Sequence, residues 1–309
     1  MVNTNFKSIH DLITAFPDEQ TCIDHLTELR WNGNVISPFD SVSKVYVCKG
    51  NKYRCKNTGK YFNVRTVTLF DNTKIELRKW FMAIYIVISH KKGISSLQLS
   101  RDIDVTQKTA WFMLQRIRNC FGLDKDKKFD NEVEVDETYY GGSNANRSLT
   151  KRKELHKLGP QTGPSHKIPI LGILERHERV EGMVIDKAIQ STIQPIMFDK
   201  INKTATVITD GFGAYRYIED KFKQHVVVNH KADEYVKGIY HTNTLEGFWS
   251  ILKRGIYSIY HFTSKKHLQK YIDEFTFRYN SRSITTAQRF NYMLSNTEHR
   301  LTYKELINE

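Results

Sequence analysis

The chain of 309 residues has only four cysteines, at positions 22, 48, 55 and 120, and no two of them form a C-x-x-C pair. So few thiols, in no regular framework, exclude a disulfide-stapled scaffold and leave reduced thiols as the default. Long apolar runs are missing too. The longest, residues 80–89, is about half of the roughly 20 residues that a membrane-spanning helix requires. Residues 1–20 lack the apolar centre of a secretory signal, so the expected location is the cytoplasm. No repeat of fixed period stands out, which sets aside solenoids and arrays. Acidic residues are in deficit: 34 Asp and Glu face 47 Lys and Arg, a formal net charge of +13. That surplus says little about fold but predicts a polyanionic partner, nucleic acid first. What is present, 39% hydrophobic and 26% charged residues over a length sufficient for two domains, describes a globular protein with a sizeable core.

The text changes character three times. Residues 1–33 are mixed and are expected to be helical. Residues 34–70 alternate short β-rich pieces, 44–48 and 60–64, with turn residues at Asn32-Gly33, Lys49-Gly50-Asn51 and Thr58-Gly59. They predict a small two-hairpin module, too small to be stable alone. From Glu76 the period switches to about 3.6, with Leu77, Trp80, Phe81, Ile84, Tyr85 and Ile88 on one stripe of a helix. That stripe is packing rather than chemistry. Residues 93–118 read as a short helix, a tight turn at Asp104-Val105 and a second helix N-capped by Thr106. The second helix would turn Gln107, Lys108 and Gln115 outward and Ala110, Leu114 and Ile117 inward, the arrangement by which such a helix enters a major groove. An ordinary helical hairpin with a basic face fits the same pattern.

After a charged linker, residues 124–130, strands at 131–136, 169–175 and 180–187 are followed by a helix at 191–201 and a strand at 205–209. Strands separated by helical patterns predict a mixed α/β domain. Residues 141–167, rich in Gly, Asn and Pro, carry Arg147, Lys151, Arg152, Lys153, Lys157 and Lys167. A loop of that length is usually functional or disordered, and its charge suits a DNA phosphate track. A solvated charge run reads the same way.

Three places carry candidate chemistry. Residues 132–136 alternate strictly, so Glu132, Glu134 and Asp136 share one face and the two valines the other; an edge strand with a solvated outer face would look the same. Residues 206–210 are an apolar run closing on Asp210 before Gly211, as at the carboxyl end of a buried strand, where α/β sheets place ligands. A helix N-cap is the plainer explanation of that aspartate. Residues 241–255 read as a helix opened by threonine and stopped by Gly255, with Leu245, Phe248, Trp249, Leu252 and Ile256 as its buried stripe. Its other face aligns Asn243, Glu246, Ser250 and Lys253, which a surface ion-pair helix would also do. Asp136, Asp210 and Glu246, on separate elements of one sheet, can converge. Such a cluster repels itself unless hard cations sit in it, and oxygen ligands favour Mg²⁺ or Mn²⁺ over zinc. Two ions about 4 Å apart would stabilise both the entering and the leaving oxygen of an in-line attack at phosphorus.

The strings V-D-E-T-Y at 135–139, V-I-T-D-G at 207–211 and H-T-N-T-L-E-G-F-W-S-I-L-K-R-G at 241–255 resemble the catalytic domain of bacterial insertion-sequence transposases of the DDE class. Further likeness runs through 53–66, 91–102, 109–118 and 267–280, so it covers about residues 20–290. It points to the branch with an N-terminal zinc ribbon and a helix-turn-helix. The resemblance implies an N-terminal helical segment at 1–33, a degenerate ribbon-like module at 34–70, a helix-turn-helix DNA-binding domain at 71–123 and a ribonuclease H-like α/β catalytic domain at 129–300. It implies two Mg²⁺ or Mn²⁺ ions on Asp136, Asp210 and Glu246, with Lys253 near the DNA phosphate. Some relatives carry asparagine at the third position, and Asn243 lies one turn before Glu246; an ionised oxygen neutralises a dication better, which favours Glu246. Gln107, Lys108 and Gln115 would read DNA, and Arg152, Lys153 and Arg254 would hold its backbone. The implied partners are the inverted repeats at the transposon ends, recognised by the helix pair and the amino-terminal module, and a target duplex. The implied state is a homodimer or higher assembly on DNA, associated with the nucleoid. A catalytically silent DNA-binding regulator on the same fold, or a structure-specific nuclease, would share most of these features.

Two departures from the family matter. Where the ribbon has its two C-x-x-C knuckles, this chain has Ser37-Pro-Phe-Asp40 and Cys55-Lys-Asn-Thr58. Hydroxyls are poor zinc donors at neutral pH, which predicts a metal-free module held by Tyr53, Tyr61 and Phe62. Val67 stands where the family carries glycine, which predicts a strained turn.

Overall fold

The structure, a computed structural model, describes residues 6–122, 127–142, 148–156, 167–228 and 238–308. It divides into two compact units, Met1–Leu123 with Ser281–Glu309, and Asp124–Asn280.

The first unit opens on helices α1 (Ile9–Ala15) and α2 (Glu19–Trp31), capped by the side chains of Ser8 and Asp18. Strands β1 (Val45–Cys48), β2 (Lys52–Cys55) and β3 (Tyr61–Phe62) follow as an antiparallel sheet. Its inner face packs Tyr53 and Phe62 against Trp31, with ring centroids 5.3 and 6.1 Å away. Tyr61, expected among the residues that hold this sheet, is instead 61% exposed, because alternation along β3 turns it away from Phe62. Cys55 is fully buried, and its Sγ–H donates to Ser43 Oγ at 3.2 Å. Val67 has φ +62°, a left-handed conformation that a β-branched residue adopts only under strain. Val67→Gly is therefore expected to stabilise the protein by about 1 kcal/mol, read by chemical denaturation.

Helix α3 (Leu77–Ser89) is almost wholly buried, and helices α4 (Ser96–Asp102) and α5 (Gln107–Arg118) flank a turn in which Asp104 has φ +50°. Thr106 caps α5 as its sequence predicts, its side chain accepting from the Thr109 N–H. Gln107 and Lys108 are exposed. Gln115 is not: it is 1% exposed, so its expected outward presentation fails. The second half of α5, Met113 to Arg118, is buried all round, and Arg116 donates to the carbonyls of Leu69, Asp71 and Leu301. A helix enclosed by its own unit has no outward face at that position.

The second unit is a five-stranded mixed sheet in the order β6-β5-β4-β7-β8. Strand β4 (Glu132–Tyr140) is central, and helix α6 (Leu149–His156) follows it. Strands β5 (Ile168–Glu175) and β6 (Val180–Val184) add antiparallel on one side. Helix α7 (Gln190–Lys200) leads to strands β7 (Thr206–Asp210) and β8 (Gln224–Val228), which add parallel on the other. Central placement corrects the edge-strand reading of 132–136; the carboxylate face is covered. One face of the sheet, with Val133, Val135, Leu171, Ile173 and Val207, packs on Ile193 and Met197 of α7 and on Tyr215. The other packs on helices α8 (Asn243–Gly255) and α9 (Lys265–Asn280) through Leu245, Phe248, Trp249, Leu268, Ile272 and Phe275.

Two glycines allow this second layer to lie close. Gly172 and Gly182 pair across β5 and β6. A Cβ built on Gly172 would stand 2.4 Å from the Trp249 ring, and one on Gly182 would stand 2.6 Å from Ile272. Gly255 is no stop: α8 runs on as a π-helix over Ile256–Tyr260 and ends at His261, where φ is +59°. Nor does Thr242 cap α8 with its side chain.

The chain then returns to the first unit. Helices α10 (Thr286–Ser295) and α11 (Tyr303–Asn308) pack there, Phe290 lying 5.2 Å from Phe6 and 5.3 Å from Phe81 between ring centroids. The stretch 281–300, expected within the catalytic domain, thus belongs to the other unit: its apolar stripe matches the aromatic core built by α1 and α3. Among the described residues no helix is long and apolar enough to cross a membrane.

Candidate active site at the strand ends

Strands β4 and β7 run parallel with Val135 opposite Thr209, so Asp136 and Asp210 come next, side by side. Asp136 Oδ2 accepts from Trp249 Nε1–H at 3.0 Å, which ties it to α8. Asp210 Oδ1 accepts from the Phe212 N–H at 2.9 Å. One oxygen of each carboxylate is occupied in this way.

Glu137, the next residue along β4, points to the opposite face and accepts from the Tyr215 hydroxyl at 2.8 Å. Three carboxylates therefore act on one another at the strand ends. Burial pushes Asp136 up to about 7, and the charges of Glu137 and Asp210 push the same way. Burial also lifts Glu137 to about 6, against the lowering effect of the Tyr215 hydrogen bond. Burial raises Tyr215 well above the usual phenol range, and the neighbouring Glu137 adds to it. Half-buried, mutually repelling carboxylates favour whatever neutralises them, a proton or a cation.

The helix that carries Glu246 is held from the sheet. Glu134, fully buried on β4, accepts the Leu245 N–H of the first turn of α8 at 2.9 Å. It thereby does what Thr242 does not, satisfying a donor at the positive end of the helix. Arg176 neutralises the arrangement, donating to Glu134 and Glu132 at 2.9 and 2.7 Å and to the carbonyls of Ile239 and His241.

Glu246 is exposed in the first turn of α8, three residues before Trp249. The structure brings Asp136 and Asp210 together but does not draw Glu246 in with them: among the described residues no three His, Cys, Asp or Glu side chains are gathered to hold one metal ion. Asn243 is exposed at the first position of α8, Lys253 half-buried near its end, and Arg254 exposed with Nε–H donating to the Ser250 carbonyl. Arg152 and Lys153 are exposed on α6. Arg147, Lys157 and the side chain of Lys151 lie outside the described residues. The oxygen donors of Asp136 and Asp210 fit a hard divalent cation by charge and chemistry.

Sequence reasoning missed Glu137, Glu134, Trp249 and Gly172 as parts of this site. Glu134 had a signal in the carboxylate face it shares with Asp136. Glu137 had none, because alternation places it with the core valines.

The raised Asp136 has a measurable consequence. Its protonated form is favoured in the folded chain, so that contribution to stability is whole below the usual value of 3.8 and is lost as pH rises through about 7. A divalent cation bound there would neutralise the same charge as the proton. Mn²⁺ or Mg²⁺ is expected to raise Tm by roughly 5 °C near pH 8 and to do little near pH 5. Asp136→Asn should raise the metal-free Tm near pH 8; differential scanning calorimetry reads both.

Residues 128–280, nearly the whole second unit, match the ISXO2-like transposase domain family. Over 277 residues the chain is also 30% identical to an uncharacterized protein in transposable element ISH50 of Halobacterium salinarum, a likeness covering 86% of this chain and 92% of that one. The chain belongs to the insertion-sequence transposases, and its transposase domain is of the ISXO2-like type.

Proposed function

We propose that this transposase binds the terminal inverted repeats of its own insertion sequence, cuts DNA there in a metal-dependent reaction and joins the freed end to a target strand. The observation that carries the reading is the pair Asp136 and Asp210, abreast on neighbouring parallel strands within a span that matches a transposase domain. The mixed sheet with helices on both faces supports a ribonuclease H-like core of the DDE class.

In this reading Asp136, Asp210 and Glu246 hold two Mg²⁺ or Mn²⁺ ions. When bound, these supply positive charge at the attacking and leaving oxygens. Water attacks phosphorus at the transposon end, the bond to the 3′ oxygen breaks, and a 3′ hydroxyl leaves. That hydroxyl then attacks a target phosphodiester and displaces the target's own 3′ oxygen. Trp249 fixes the rotamer of Asp136 through its indole N–H, and the Glu134–Arg176 pair sets where α8 begins and hence where Glu246 stands. Asn243 offers a neutral donor beside Glu246. Lys253 and Arg254 on α8, and Arg152 and Lys153 on α6, contact phosphates, while Gln107 and Lys108 at the start of α5 face the groove. Joining two ends calls for at least a dimer on DNA.

Strand transfer with the element's own ends and Mg²⁺ tests the proposal. Products with target strands covalently joined to transposon 3′ ends support it. Binding without any nicking would favour a silent regulator, and hydrolysis of RNA in a hybrid without joining would favour a nuclease.

A further inference from the structure

We infer that the outer face of the β1-β2-β3 sheet is a docking surface for the phosphate backbone of double-stranded DNA, indifferent to base sequence. Between Asp40 and Asp71 the chain has seven Lys and Arg and no Asp or Glu. Arg65 pairs with Glu19; none of the other six forms an ion pair among the described residues, and all six are exposed. A single-sign segment of this kind repels itself at a cost that an anionic partner removes.

The register gathers these charges. Tyr46 pairs with Arg54, and Arg54 with Tyr61, so the three form one row across the sheet on the face opposite the Tyr53, Cys55 and Phe62 side chains. Lys44 shares that face with Tyr46 by alternation, and Lys52 shares it with Arg54. Rings hold the cations in place: the Lys44 ammonium lies 5.6 Å from the Tyr46 centroid and the Arg54 guanidinium 5.8 Å from that of Tyr61. Tyr46 and Tyr61 are 42% and 61% exposed.

This arrangement selects the partner. Each tyrosine already has a cation against its ring, which leaves phosphate contacts, rather than base stacking, as the main use of the face. A pleated sheet spaces its strands about 4.8 Å apart, so the fixed cations form a short grid rather than a reading head. The inference rests on DNA being the partner, as proposed above, and adds the surface and the mode.

The test uses the full-length chain, a random-sequence duplex without inverted repeats and no divalent ion, so that cleavage plays no part. A Lys44→Gln, Lys52→Gln, Arg54→Gln variant is compared with Lys74→Gln, Lys91→Gln, Lys92→Gln, which removes the same charge from exposed positions elsewhere in the unit. The first is expected to lower the slope of log K against log salt by about 3, nearly one per lost phosphate contact, and to weaken binding at least ~10-fold at 0.1 M salt. The second should leave the slope within about 1 of the wild type. Equal effects of the two triples, an unchanged slope in the first, or a loss confined to single-stranded DNA would each overturn the inference. Single substitutions, each worth about one unit of slope, keep the measurement readable if a triple folds poorly. Loss of nicking with this binding intact would count against the catalytic reading alone.

Discussion

Asp136→Ala and Asp210→Ala are each expected to reduce Mg²⁺-dependent cleavage by on the order of 10³-fold or more, with binding to transposon ends retained. A thousandfold corresponds to about 4 kcal/mol of transition-state stabilisation, the scale at which losing one well-placed charge-stabilising group is felt. The two aspartates stand on adjacent parallel strands, so neither can replace the other without moving the sheet. Glu246→Ala should be as severe if that residue supplies the third ligand, whereas full activity in Glu246→Ala with loss in Asn243→Ala would transfer the role. Full cleavage by Asp136→Ala would remove the site altogether, whereas binding with no cleavage by the wild-type chain would leave a DNA-binding protein. Gel assays of nicked and joined products, with filter binding on the same preparations, separate these outcomes.

Gly172→Ala should be the most disruptive single-methyl change in the second unit. The added carbon would lie 2.4 and 2.8 Å from two atoms of the Trp249 ring and 3.0 Å from Leu245 Cδ1, all within the buried layer. Overpacking a core costs typically about 1–3 kcal/mol. Displacing the indole also breaks its hydrogen bond to Asp136, a further cost of about 0.5–1.5 kcal/mol while that carboxyl is protonated and about 1.5–3 kcal/mol once it ionises above about pH 7. A fall in Tm of roughly 10 °C follows, measured by thermal denaturation. The double variant Gly172→Ala, Trp249→Leu is expected to regain part of the stability but not the cleavage, because leucine relieves the crowding without restoring the donor to Asp136. A Tm within about 2 °C of wild type for Gly172→Ala would mean that α8 does not press on the sheet there.

Both predictions rest on contacts that no local pattern announces. The apolar stripes of α3 and α8, the Thr106 cap and the alternation in β4 were legible, because each arises within a few residues of the backbone. The carboxylate face of 132–136 was legible as a face but not as an interior: only the strands added on either side, and α8 laid across them, turn Glu134 into a fully buried anchor for Leu245. Gln115 read as outward because periodicity counts faces without knowing how many are covered. The hydrogen bond that Glu137 accepts from Tyr215 depends on a turn 78 residues away. The joining of 281–309 to the first unit depends on which aromatic core Phe290 fits.

Residue order by itself determined the elements and their chemistry: the period of two or 3.6 in each segment, the surplus of positive charge, and the presence of carboxylates at strand and helix ends. These follow from side-chain sterics and charge, which act locally or add up over the chain. The tertiary structure alone decided which carboxylates became neighbours, which helix covers them and which glycine lets it approach. Such pairings join residues far apart along the chain, and they are selected by the packing of whole layers against one another.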